Sequence, residues 1–381
     1  MTTTNNIVLE IDKKLDLLVK KIELLNYINP TNIEVEKIRF FESKFTINPS
    51  FKYPKVDFDA FDLQRRLFAL PIESITDKTI KALYEDIIYE YSGLIECITT
   101  IGQGKKFYYN SLRSFGTPTE KDVENAKFIL HFKEDINVEK SLPRFDTYET
   151  EKFFREYSKR YDFNYNIVHS DSLSAIAMVL SNDKTLVLNK NHTFSQNDIN
   201  ILTNHEIGVH MVTTMNSFLN PLKIFSHGFP NNVETQEGLA VFSEYMSDSL
   251  TLDRLKVIAY RILAVNSLEK GYDFVQTFKL LHSQYSVPSE MAFKITLRVH
   301  RGGGFTKDYL YLTGLSKIYK FYKQNKNLTT LLSGKTSLEY LDTIEYLYKN
   351  NYAVSAKYIT DSYGKNSNSN SKLNFILDNL K

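Results

Sequence analysis

Val8, Ile11, Leu15, Leu18, Ile22 and Leu25 recur at alternating three- and four-residue steps, which lines one face of a helix until the Ile-Asn-Pro at 28–30 ends it. The stripe predicts a helix docked on the body of the protein, with a coiled-coil seam as the alternative. Residues 43–58 carry two prolines and several aromatics and read as an extended connection. "SITDKTIKALYEDIIYEYSGLIECITTIGQG" predicts one long helix stopped by its glycines, and 122–132 and 147–161 read as helices too. The first 160 residues are thus expected to be mostly helix. The texture then changes. Two β-prone runs, 175–180 and 185–188, flank "SNDK" and predict a hairpin. Ser195 with Asp198 resembles a capping box, and Ile199, Ile201, Leu202, Ile207, Val209 and Val212 continue as a helix. Pro221, Gly228 and Pro230 mark a loop, and a second helix starts near Thr235. Further helices are expected over 250–265, 272–282, 290–301, 308–322 and 337–348, and "GKNSNSNSK" near the end reads as a polar, mobile tail.

Composition narrows the class. A hydrophobic content of 42% over 381 residues supports a sizeable core. Lys+Arg 47 against Asp+Glu 45, interleaved to a net +2, offers no electrostatic case for nucleic acid or an anionic membrane. The one cysteine, Cys97, lies in apolar "GLIECITTI" and reads as a buried thiol of a reducing compartment. No basic start leads into an apolar run, and no uncharged stretch reaches the roughly 18 residues of a spanning helix, so a cytoplasmic protein is expected.

The candidate chemistry begins at "NHEIGVH", where His205 and His210 are five apart. On a regular α-helix, residues four apart differ by about 40° around the axis but residues five apart by about 140°, so the two imidazoles would diverge. A π-type turn would bring them to one side, and Gly208 between them eases such an irregularity. A catalytic Zn²⁺ site needs a third protein ligand and an open position. "TQEGLAVFSEYMSD" offers Glu237, with Glu244 two turns further along the same face. Glu237 is assigned to the metal. Glu244 is assigned to support, taking a ligand histidine's other ring proton. Glu206, beside the first histidine, is placed as general base. Downstream, "RVHRGGGFTKDYLYLTG" allows two readings: a loop whose Arg298, Arg301 and amides hold a carboxylate, or a helix end capped by glycine.

"NHEIGVH" followed by "QEGLA" and then "RGGGFTKDYLYLTG" resembles the QEGLA-motif family. Its bacterial members are labelled flavohemoglobin expression-modulating proteins and its animal members are the microtubule-associated tyrosine carboxypeptidases. The resemblance covers roughly residues 48–348. It implies a zinc metallopeptidase that removes a C-terminal tyrosine or phenylalanine, with His205, His210 and Glu237 as ligands and Glu206 as the catalytic glutamate. Many relatives carry Asn-Gly where this chain has Asn216-Ser217.

The combined expectation is an α+β, mainly helical, zincin-like metallopeptidase with a small β-sheet beside the active-site helix. One Zn²⁺ per chain and a peptide or protein C-terminus as substrate are expected. The organisation expected is an N-terminal helical segment over 1–50, a catalytic domain over 51–350 and an extension with a polar tail over 351–381. Strand 185–188 is expected to pair with an extended peptide as an exposed edge. Arg298 or Arg301 would capture the terminal carboxylate, and Tyr309 or Tyr311 would donate to the oxyanion. The alternative is a non-catalytic or regulatory zinc-binding protein affecting gene expression. The bacterial label favours it, and an intact Glu206 opposes it.

Overall fold

A computed structural model describes residues 3–133, 143–171, 173 and 175–381. The N-terminal stripe is buried as expected, but its helix is not continuous. One helix spans Thr3–Val19 and a short second one Leu24–Ile28, with a turn between them closed by the Ile22 amide on Val19 O at 2.8 Å. Val8, Ile11, Leu15, Leu18 and Ile22 stay buried across the break, so the periodicity reports burial and not helix continuity. They pack with Leu67, Ile80 and Leu83 in the chain's own core, which uses up the face a coiled coil would need. Asp12, buried in that interface, accepts from the backbone amides of Lys223 and Ile224 and from the Tyr84 hydroxyl.

The long helix spans Lys78–Thr99, started by the Asp77 side chain and finished just before Gly102. Residues 43–58 form no regular element. Helices Glu120–Leu130 and Thr147–Ser158 both begin with capping boxes. Cys97 is fully buried and its thiol is pushed up to about 11, burial being the main cause.

The strands are β1 (Arg144–Phe145), β2 (Asn166–Ser170), β3 (Ala177–Leu180), β4 (Thr185–Asn189) and β5 (Phe194–Ser195). β3 and β4 form the expected hairpin, antiparallel with Leu180 opposite Thr185. β2, which the sequence pattern did not single out, pairs parallel to β4 on its other side, giving the order β2-β4-β3. This corrects the expectation for residues 185–188. Both ladders of β4 are occupied, so it cannot accept a peptide by edge pairing; the edges are β2 and β3.

Two glycines set the closest helix contact. Helix Asn232–Met246 crosses helix Leu310–Lys323 with Gly238 against Gly314. A Cβ on Gly238 would lie 2.5 Å from the Gly314 carbonyl, and one on Gly314 only 2.1 Å from Glu234 O. The glycine of "QEGLA" and that of "YLTG" are therefore two halves of one packing contact. The triple glycine resolves to the helix-end reading. Helix Ser289–His300 stops there, Gly302, Gly303 and Gly304 have φ of 74°, 119° and 129°, and the Gly302 amide donates to Tyr53 Oη at 2.8 Å.

The polar tail expected to be mobile is docked. Its Ser367 amide donates to Met246 O at 2.8 Å, Asn368 Nδ2 to Tyr245 O at 3.0 Å, and Ser369 Oγ to Asp248 Oδ2 at 3.0 Å. A helix follows at Ser371–Asp378, burying Leu373, Ile376 and Leu377 against the same core as Phe242. Low complexity was misleading because Asn368 found a backbone carbonyl, Ser369 found the Asp248 carboxylate, and an apolar helix lay beyond them. The protein is mainly helical with small sheets, and no helix among the described residues is long and apolar enough to cross a membrane.

Candidate metal centre

The capping box at Ser195 starts helix Gln196–Leu202, and the chain then widens into a π-helical segment, Thr203–Met211, before resuming as Val212–Leu219. The five-residue histidine spacing demanded this local form. Each amide of a π-turn reaches five residues back, so carbonyls where the pattern changes need other donors. Ser243 Oγ donates to Asn204 O at 2.8 Å and Thr360 Oγ1 to Gly208 O at 2.7 Å. Gly208 has a packing reason as well, since a Cβ there would come within 3.1 Å of the Tyr157 hydroxyl. The outcome is two imidazoles on one side, their ring centroids 4.9 Å apart.

Glu237 on helix Asn232–Met246 completes the group. Its Oε2 lies 3.7 Å from His205 Nε2 and 3.8 Å from His210 Nε2, and the three ligand atoms fall within 4.8 Å of one another. Such separations are too long for hydrogen bonds but near the roughly 3.4 Å between ligands of a tetrahedral ion with bonds of about 2.1 Å. Oε2 is buried with no hydrogen-bond partner, whereas Oε1 accepts from Lys307 Nζ at 2.7 Å. A buried, unpartnered carboxylate oxygen facing two imidazole nitrogens fits a bound cation. Among the described residues this is the one group of three with metal-ligand spacing.

Behind it, His205 Nδ1 meets Glu244 Oε1 at 2.7 Å, and Arg254 donates to both oxygens of Glu244 at 3.1 and 3.0 Å. Glu244 is fully buried. Burial pushes the His210 imidazole down to about 3, leaving it neutral with a free lone pair. Burial would lower His205 as well, but the carboxylates of Glu237 and Glu244 outweigh it and hold its imidazolium up to about 10. Burial raises Glu237, yet Lys307 and the imidazoles keep that carboxyl well below the usual range. Glu206 is buried and raised chiefly by desolvation, and its carboxylate has no hydrogen-bond partner among the described residues.

The downstream candidates separate. Arg298 is clamped on both oxygens of buried Asp308, Arg301 donates to Asn29 Oδ1 and lies over Phe305, and the Tyr309 hydroxyl donates to Phe115 O at 2.7 Å. All three have partners within the fold, although Nε of Arg301 is buried without one. Tyr311 lies near the centre, its ring 5.4 Å from Lys307 Nζ. Asn216 and Ser217 lie inside helix Val212–Leu219, where Asn216 Nδ2 bridges to Leu332 O and Tyr358 O. Sequence reasoning missed Lys307 and Arg254. Lys307 was within the quoted "GFTKDY" motif, but nothing local marks a lysine as the partner of a carboxylate 70 residues away. A cavity of about 720 Å³ borders the segment at Tyr157, Thr203, Asn204 and Ser249 and includes none of the metal-centre residues.

The family described as "Microtubule-associated tyrosine carboxypeptidase" (MATCAP) matches residues 38–381. A mouse protein named "Putative tyrosine carboxypeptidase MATCAP2" is 24% identical over 349 residues, covering 87% of this chain and 58% of the mouse protein. The chain therefore spans little more than half the length of that relative. With nine-tenths of its length matched and the histidine and glutamate motifs brought together in space, the chain belongs to the MATCAP family of microtubule-associated tyrosine carboxypeptidases.

Proposed function

We propose that the protein is a zinc carboxypeptidase that removes a C-terminal tyrosine or phenylalanine from a peptide or protein. The observation that carries the reading is the buried, unpartnered Oε2 of Glu237 facing Nε2 of both His205 and His210. These three residues would hold the ion, and Zn²⁺ suits a donor set of two imidazoles and one carboxylate. When bound, it would polarise a carbonyl and make water a stronger acid. Lys307 holds Glu237 by one oxygen and leaves the other for the ion. Glu244, held by Arg254, orients the His205 ring through Nδ1 and so turns Nε2, the nitrogen that would hold the ion, toward Glu237. Glu206, desolvated and unengaged, would take a proton from attacking water and return it to the leaving amine. The preference for an aromatic end residue is supported by the family alone.

The test pairs metal content with turnover. Wild type and Glu206→Gln are purified, zinc per chain is quantified, and each is incubated with peptides ending in Tyr, Phe, Ala or Lys under mass spectrometry. Wild type is expected to bind one zinc and release a single terminal Tyr or Phe. Glu206→Gln should bind zinc equally and lose at least about 100-fold in kcat. Zinc binding with no cleavage of any peptide would sink the enzymatic reading in favour of a regulatory metal protein.

A further inference from the structure

Helix Leu252–Glu269 sends two arginines, Arg254 and Arg261, toward the centre from positions seven apart, about two turns. Arg254 is spent on Glu244. Arg261 is not spent. Its guanidinium Cζ lies 4.9 Å from the centroid of the Tyr311 ring, which also has Lys307 Nζ at 5.4 Å. Its side chain is 12% exposed, its Nε is buried without a partner, and its nearest carboxylate, Asp308 Oδ2, is 3.9 Å away. No hydrogen bond ties Arg261 to any described residue, and Asp308 already receives both donors of Arg298.

Each carboxylate nearby has its own cation: Glu237 has Lys307, Glu244 has Arg254, and Asp308 has Arg298. Arg301 donates to Asn29 and packs on Phe305, and its Nε is likewise buried without a partner. Arg261 and Arg301 are thus the two arginines of the cluster without a close carboxylate, and of the two it is Arg261 that shares the Tyr311 ring with Lys307. A guanidinium this desolvated costs free energy unless an anion completes it, and its planar fork matches a carboxylate. An exopeptidase must recognise the free carboxylate of the last residue. That group lies one residue, about 3.8 Å of chain, beyond the scissile carbonyl, so its receptor has to stand beside the metal centre. Arg261 is linked to that centre through one aromatic ring, Tyr311, whose other cationic neighbour is the lysine that holds Glu237.

We infer that Arg261 is the receptor for the substrate's terminal carboxylate, with the Tyr311 ring against its guanidinium. The assignment rests on the carboxypeptidase reading above and replaces Arg298 and Arg301 in that role.

The experiment uses a short N-acetylated peptide ending in Tyr and the same peptide as its C-terminal amide. Binding of both to the zinc-loaded Glu206→Gln protein is measured by calorimetry, with and without Arg261→Ala or Arg261→Lys, and thermal midpoints and zinc content verify folding. The acid should bind roughly 10- to 100-fold more tightly than the amide, Arg261→Ala should abolish that difference, and Arg261→Lys should restore part of it. In the enzyme with Glu206 intact, Arg261→Ala should raise KM by a similar factor with kcat changed less. A folded Arg261→Ala protein that still prefers the acid as strongly overturns the assignment, as does equal binding of acid and amide with Arg261 in place. Because binding is read without turnover, loss of the carboxypeptidase reading shows separately, as failure of the wild type to cleave the acid peptide.

Discussion

His205 has a carboxylate at each ring nitrogen, Glu244 within hydrogen-bond distance and Glu237 across the gap of the metal centre. In the proposed site the two partners would do different work: one orients the ring, and the other would share the ion. Replacing Glu244 with Gln keeps the shape but removes the charge that neutralises Arg254 and strengthens the imidazole as a ligand. Zinc affinity is expected to fall about 10- to 100-fold, measured by competition with a chromophoric chelator. An affinity unchanged from wild type would remove Glu244 from the site. At this scale much was legible. The five-residue spacing of His205 and His210, with Glu237 and Glu244 two turns apart, contained the centre and its support. Lys307, Arg254 and Arg261 were not legible, because a cation's role depends on which carboxylates it meets across the fold.

At the scale of elements, the π segment was readable because two histidines five apart converge only if the helix departs from regular α geometry. The hairpin of β3 and β4 was readable from local alternation. The third strand was not: β2 is joined to β4 by parallel pairing, which no adjacent turn announces. The crossing of Gly238 on Gly314 belongs here as well. It seats Glu237's helix against the helix that follows Lys307, so the ligand and the lysine that pins it come from one tightly packed pair. Gly238→Ala should cost about 1–3 kcal/mol, seen as a lower midpoint in urea unfolding, because neither backbone can retreat without moving the site. A variant as stable as wild type would show that the helices are free to separate.

Across the whole molecule, the N-terminal helix is tied to the loop after the motif helix through one buried carboxylate, Asp12, which accepts from Lys223, Ile224 and Tyr84. Burial is the larger influence and pushes Asp12 up to about 6 despite these donors. The folded state therefore keeps a proton that the unfolded chain gives up near its ordinary value of 3.8. This contribution to stability is fully present below that lower value and is lost as pH rises through about 6. In Asp12→Asn that loss should vanish. The unfolding free energy of wild type should fall relative to the variant between pH 4 and pH 7, and parallel profiles would contradict the shift. The C-terminal tail carries a similar lesson. Asn368 and Ser369 read as solvent-seeking in isolation, and only the carbonyl of Tyr245 and the side chain of Asp248 made them structural.

The sequence by itself determined the amphipathic helices, the hairpin, the capped start of the motif helix and the set of residues able to bind a metal. These follow from interactions a few residues apart, where periodicity and spacing are enough. Tertiary structure decided which strand edges stay open, that the polar tail docks, that three glycines end a helix, and which arginines are left with a buried, unpartnered nitrogen. Those outcomes depend on pairings over long separations, and the free energy of a buried charge or a close backbone contact is set by the neighbour it meets, which no local pattern encodes.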